Sequence, residues 1–209
     1  MADVRIMKLS EIRDKEDLLM RTAGQCRQAR ASRFRHLDDR LRCLAAGYLL
    51  EHCLPGFDEE RLRTGRDGKP WLPQGPAFSI SHGGDYVVLA WEEGAAGIGV
   101  DVEPIRDWAY YEDMLPLYAT EAEQKAMGQA ADKAIWVWTR KESLYKCVGE
   151  GIEDFLELPE VLADEVTFLG KACQMGSWEK EGHLFSVAVR DFNEPLAVKC
   201  GMISLSYIC

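Results

Sequence analysis

Between Trp138 and Lys146 the chain reads Trp-Thr-Arg-Lys-Glu-Ser-Leu-Tyr-Lys, with Trp138, Glu142 and Lys146 recurring every four residues. Wound into an α-helix, those positions rise in one stripe, so a carboxylate and an ammonium face the same way above an indole. The plain interpretation is an exposed helix carrying a Glu-to-Lys pair worth about 0.2–0.5 kcal/mol. The chemical one is a general base beside a cation that can steady a developing negative charge. A second acidic pair, Asp101 and Glu103, lies about forty residues upstream and gives the chemical interpretation weight. In a strand these two share one face while Val100 and Val102 turn toward the core. Adjacent carboxylates repel unless a proton or cation lies between them. A hard divalent ion suits them, and a ligand set made of oxygen favours Mg²⁺ over zinc. The structural alternative is a solvent-facing strand with acids near its end.

Cations that could hold phosphate accompany these acids. From Arg21 to Arg42 there are seven arginines against two acids, Asp38 and Asp39, a local excess of five in a chain whose net charge is −10. Overall acidity argues against a nucleic-acid binder, which draws affinity from many released counterions. A local arginine cluster in an acidic chain points to a smaller anion. Ser81-His82 stands at a strand end, and neither a P-loop nor a Rossmann glycine pattern is present. Three carboxylates, a lysine, a Ser-His pair and arginines together suggest transfer or hydrolysis at a pyrophosphate.

The elements that must position these groups read as α+β. Residues 1–10 form a short strand and 11–54 helices, stopped at Pro55-Gly56. Residues 77–81 and 86–91 form a hairpin through His82-Gly83-Gly84-Asp85, and 98–104 a third strand, together an antiparallel sheet over 77–104. Residues 107–147 return to helix, with Thr120 and Glu123 spaced as a capping box, and strands follow at 166–168, 184–189 and 197–198. This order predicts two similar halves, 1–104 and 105–209, with a faint echo of Phe78-Ser79-Ile80 in Phe185-Ser186-Val187. Seven cysteines with no C-x-x-C pair predict reduced, mostly buried thiols. No apolar run approaches a membrane span and no signal-peptide core follows the N-terminus, so a cytoplasmic protein is expected.

The sequence resembles the 4′-phosphopantetheinyl transferases, specifically the larger, single-chain type that activates surfactin-like synthetases. Four ordered strings carry the resemblance: Gly68-Lys69-Pro70, Phe78-Ser79-Ile80-Ser81-His82, Gly97-Ile98-Gly99-Val100-Asp101-Val102-Glu103, and Trp138 to Lys146, extended by Gly149-Glu150-Gly151. The resemblance implies a fold of two subdomains related by pseudo-twofold symmetry, with the active site at their junction. It implies transfer of the phosphopantetheine arm of coenzyme A to a serine of an acyl, peptidyl or aryl carrier protein, releasing adenosine 3′,5′-bisphosphate. By the same resemblance Asp101, Glu103 and Glu142 bind Mg²⁺, with Mn²⁺ as a substitute. Glu142 is the general base and Lys146 steadies the pyrophosphate, with Lys141 a further phosphate contact. Ser81 and His82 meet the coenzyme A phosphates, Lys69 and Pro70 the adenine side, and Arg27, Arg30 and Arg42 the 3′-phosphate. Two arginines stand where this type often has lysine, which keeps the charge and permits bidentate contacts.

A chain holding both halves is expected to act as a monomer, without nucleic-acid or membrane partners. The aromatic stretch Trp108–Leu115 reads either as an apolar patch for the carrier helix or as core between the halves. Two other functions fit the same residues: a Mg²⁺-dependent pyrophosphate hydrolase with water as nucleophile, and a catalytically silent coenzyme A or carrier-binding module. Retention of the three carboxylates together with Lys146 speaks against silence, because a binder needs no general base.

Overall fold

The computed structural model describes residues 1–65, 68–149, 155–191 and 195–205. Strand β1 (Ala2–Lys8) leads into helices α1 (Glu16–Thr22), α2 (Gln25–Ala31) and α3 (Leu37–Cys53). A short ladder of β2 (Arg63–Thr64) and β3 (Pro70–Trp71) precedes the hairpin β4 (Ala77–Gly83) and β5 (Tyr86–Glu92), and then β6 (Gly97–Pro104). Helices α4 (Trp108–Glu112), α5 (Leu115–Tyr118), α6 (Glu121–Met127) and α7 (Ala131–Val148) follow, then β7 (Glu165–Phe168), β8 (Lys171–Lys180), β9 (His183–Arg190) and β10 (Val198–Met202). The class is α+β, as the sequence predicts.

Two four-stranded sheets organise the chain, one in the order β10-β1-β5-β4 and the other β6-β9-β8-β7. Alternation along each strand sends side chains to opposite faces, and three buried clusters result. Leu41, Leu44 and Leu49 of α3 pack on Met7, Val87 and Leu89 of the first sheet. The other face of that sheet, with Val4, Ile6 and Val88, meets Val100, Val102, Phe185 and Val187 of the second. Beyond it Ala134, Val137 and Leu144 of α7 pack on Met175, Leu184 and Ala188. The capping box forms as expected: Glu123 N donates to Thr120 Oγ1 at 3.2 Å and Thr120 N to Glu123 Oε2 at 2.8 Å. The six described cysteines are free. No helix among the described residues is long and apolar enough to cross a membrane.

Two expectations about the strands need correction. Residues 77–104 do not form one sheet, because β6 pairs with β9, placing Asp101 opposite Ser186. Both edges of β5 are already taken, by β1 and β4, so β6 has no ladder open to it there. It touches the first sheet instead through Val100 N, which donates to Ser79 Oγ at 3.1 Å. In the other direction β10 crosses back and pairs in parallel with β1, Val4 opposite Cys200. Sheet membership therefore does not follow the division at 104/105. The ten-residue β8 was also not foreseen, since its polar sequence offers only Cys173, Gln174 and Met175 as buried positions.

Candidate active site

Gly97, Gly99, Asp101 and Glu103 alternate along one face of β6, and each pair has its own task. The glycines admit α7 to backbone contact: a Cβ on Gly99 would lie 1.9 Å from Ser143 O, and one on Gly97 2.5 Å from Cys147 O. Because the helix lies so close, its next outward side chains reach the carboxylates two and four residues further along the strand. A third element arrives by the same device. At Gly83 a Cβ would fall 2.0 Å from Val102 O, so the end of β4 lies against β6 and delivers Ser81 and His82.

Lys146 is the centre of the resulting cluster. Its Nζ lies 2.7 Å from Asp101 Oδ1, 3.0 Å from Ser81 Oγ and 3.7 Å from Glu142 Oε2. Ser81 Oγ in turn donates to Asp101 Oδ1 at 2.8 Å. Burial pushes the Glu142 carboxyl above its ordinary value, against the downward pull of Lys146. Burial, and then the charge of Asp101, push Glu103 up to about 7. A carboxyl held above its ordinary range accepts a proton more readily, as a general base requires. His82 is held below the ordinary imidazole value, first by desolvation from the groups around it and then by Arg42. Its side chain is nonetheless exposed at the surface.

Among the described residues no three candidate ligands stand close enough together to hold a metal ion as they are. The Lys146 ammonium occupies the space between Asp101 and Glu142. The donor chemistry still suits a hard cation: Asp101 Oδ2 is buried with no hydrogen-bond partner, and Glu103 is raised by burial and by the neighbouring Asp101 charge. A divalent ion would give Asp101 Oδ2 a partner and offset that charge.

The other expected residues divide. Arg42 stands at the turn after His82, its Nη2 donating to Gly84 O at 3.1 Å and its Nη1 paired with Asp39 at 2.9 Å. Arg30 is exposed. Lys69 Nζ bridges the carbonyls of Ile98, at 2.9 Å, and Lys146, at 2.5 Å. With Pro70 it lines a cavity of roughly 450 Å³ whose far wall includes Cys147, Val148 and Arg190. Arg27 is not presented to solvent. It is 4% exposed, packs where Gly47 leaves room on α3, and pairs with Glu59 at 3.3 Å. Lys141 must be reassigned as well. It is fully buried and paired with Glu123 at 3.0 Å, so it offers nothing to a phosphate. Glu150 and Gly151 of the last motif lie outside the described residues. Trp138 is a packing residue, stacked on Phe155 at 5.3 Å and edge-on to Tyr118 at 5.1 Å. The aromatic stretch splits: Tyr111 is core, whereas Tyr110 is 53% exposed beneath the Arg106 guanidinium, 4.7 Å from its ring.

Sequence reasoning did not find the roles of Gly97 and Gly99. Their signal is legible, a Gly-x-Gly run on the same strand face as the acids. Nor did it pair Glu123 with Lys141, although a lysine among core positions of a helix needs a buried acid somewhere.

These features define an α+β protein that gathers an acid–base cluster where its two sheets meet. A family model described as the 4′-phosphopantetheinyl transferase superfamily matches residues 97–189. The chain is 32% identical over 140 residues to the 4′-phosphopantetheinyl transferase psf-1 of Bacillus pumilus, covering 60% of this chain and 58% of that protein. It is 27% identical over 147 residues to a 4′-phosphopantetheinyl transferase of Bacillus subtilis, covering 66% and 65% respectively. The chain thus spans less than two thirds of the length of each of these relatives.

Proposed function

We propose that the protein transfers the 4′-phosphopantetheine group of coenzyme A to a serine of an acyl, peptidyl or aryl carrier protein. The observation that carries this reading is the meeting of Lys146, Asp101 and Glu142, all within the region that the family model matches, with Ser81 brought to them from β4 at the seam of the two sheets. The carrier hydroxyl attacks the phosphorus bearing the pantetheine arm, its proton passes to Glu142, and the bridging P–O bond breaks to release adenosine 3′,5′-bisphosphate. Serine is a weak nucleophile at neutral pH, so a nearby carboxylate of raised basicity is the group this step needs. Lys146 neutralises charge building on the leaving oxygens. Arg30, Arg42, Ser81 and His82 hold phosphate, and Lys69 and Pro70 border the adenine side. Asp101, Glu103 and Glu142 would hold Mg²⁺ or Mn²⁺, which when bound neutralises pyrophosphate oxygens.

Tyr110, with Arg106 above it, supports a carrier contact beside Glu103, an aromatic and a cation offered to an acidic partner. A cytoplasmic monomer, and a pseudo-twofold relation between the halves, belong to the same reading. The test is intact-mass measurement of an apo carrier protein incubated with this protein, coenzyme A and Mg²⁺. A phosphopantetheine adduct is expected. No adduct on any of several carriers would count against the transferase, and hydrolysis of coenzyme A without a carrier would favour water as the nucleophile.

A further inference from the structure

Two consecutive cations of α7 turn away from the site into the protein. Lys141 Nζ lies 3.0 Å from Glu123 Oε2 on α6, with both side chains at 0% exposure. Glu123 is engaged twice more: its Oε2 accepts from Thr120 N at 2.8 Å and its Oε1 from Val161 N at 2.9 Å. Arg140 takes the carbonyl side of the same segment, donating to Val161 O at 2.7 Å, to Asp164 Oδ1 at 3.0 Å and to Ala163 O. Val161 is thereby fixed by its N–H to α6 and by its C=O to α7.

Taking two charges out of water consumes most of what their attraction returns, and an apolar pair of the same volume would fill the space without that cost. What an ion pair adds is direction. Consecutive residues on a helix are about 100° apart, so fixing the azimuth of Lys141 fixes that of Glu142 beside it. We infer that Lys141 is a positioning residue for Glu142: its buried pair with Glu123 sets the rotation of α7 that brings the Glu142 carboxylate to Lys146 and Asp101. The inference rests on the transferase reading for its catalytic meaning, although the geometry stands without it.

The test is the Glu123→Gln/Lys141→Met double variant, which removes both charges while keeping side-chain length, the Gln oxygen accepting from one of the two N–H groups, Thr120 or Val161, that Glu123 serves. Lys141→Met alone strands a buried carboxylate and should melt lower, and the double variant should recover most of that loss. With the melting temperature recovered, kcat is expected to fall about ten- to a hundredfold, and the coenzyme A KM to stay within about twofold of wild type. A raised KM with unchanged kcat would overturn the inference in favour of a direct phosphate contact. Wild-type values for both would overturn it in favour of packing alone. A double variant that does not fold would overturn it too, since the pair would then serve the fold and not the angle. Wild-type protein inactive on every carrier would count against the transferase reading instead. In that case the crystal structure of the double variant decides: Glu142 displaced from Asp101 is expected, and an unmoved α7 would end the inference whatever the activity.

Discussion

Helices α3 and α7 hold similar places in the fold and are built in opposite ways. Each is long, 17 and 18 residues, and each covers one four-stranded sheet. The buried face of α3 is apolar throughout: Leu41, Cys43, Leu44, Ala45, Gly47, Leu49 and Leu50. That of α7 adds Thr139, Arg140, Lys141 and Ser143 to its aliphatic residues, and each of the four has a polar partner. Apolar contact rewards area and tolerates small rotations, whereas hydrogen bonds and ion pairs reward one orientation. The helix that supplies stability needs only to be close, while the one that carries Glu142 and Lys146 must also be aimed.

Substitutions on the two helices should therefore fail differently. The largest effect is expected from Glu142→Gln, which keeps shape but removes the base: transfer should fall about 10²- to 10⁴-fold with the melting temperature little changed. Undiminished turnover would remove the distinction at its strongest point. Leu44→Ala on α3 should do the reverse, costing about 2–5 kcal/mol in denaturant unfolding while kcat, measured well below the melting point, stays near wild type. Thr139→Val on α7 removes the 2.8 Å hydrogen bond to Ser186 Oγ and should cost about 0.5–1.5 kcal/mol. A loss of kcat larger than that stability loss explains would sharpen the case for aim over adhesion.

The smallest effect concerns pH. Glu103 is held up to about 7, first by burial and then by Asp101, so the folded protein keeps a proton that the unfolded chain has released above its ordinary 4.5. The folded state then binds more protons across that window, and stability should fall as pH rises from 4.5 toward 7. The Glu103 contribution is the difference between wild type and Glu103→Gln in denaturant midpoint. A difference that is flat, or that favours the wild type with rising pH, would contradict the assignment.

Local rules were readable in the chain. Thr120 and Glu123 announced a cap, Val100 and Val102 an inward face, and Glu142 with Lys146 a common stripe, because each depends on neighbours a few residues away. Pairings that depend on distant segments were not. That β6 would join β9 depends on a partner strand at residues 183–190, far along the chain, and not on the hairpin, whose β4 stands at the edge of its own sheet. Arg27 looked like a surface cation because the space that receives it is made by Gly47 on another helix. Lys141 sits in a motif beside Glu142 and ahead of Lys146, both of which face the site, and only the fold shows that its own side chain points to α6.

The contact of α7 with β6 through Gly99 has a metrological consequence. With Ser143 O already against the strand, the backbones that carry the strand and helix carboxylates cannot come closer, and the polar anchors of α7 resist their separation. Were a metal held there as proposed, the pair would act as a gauge that favours ions of one radius. Oxygen ligands sit about 2.0–2.1 Å from Mg²⁺ and 2.3–2.6 Å from Ca²⁺. A methyl group at position 99 would reset the gauge before it altered any ligand.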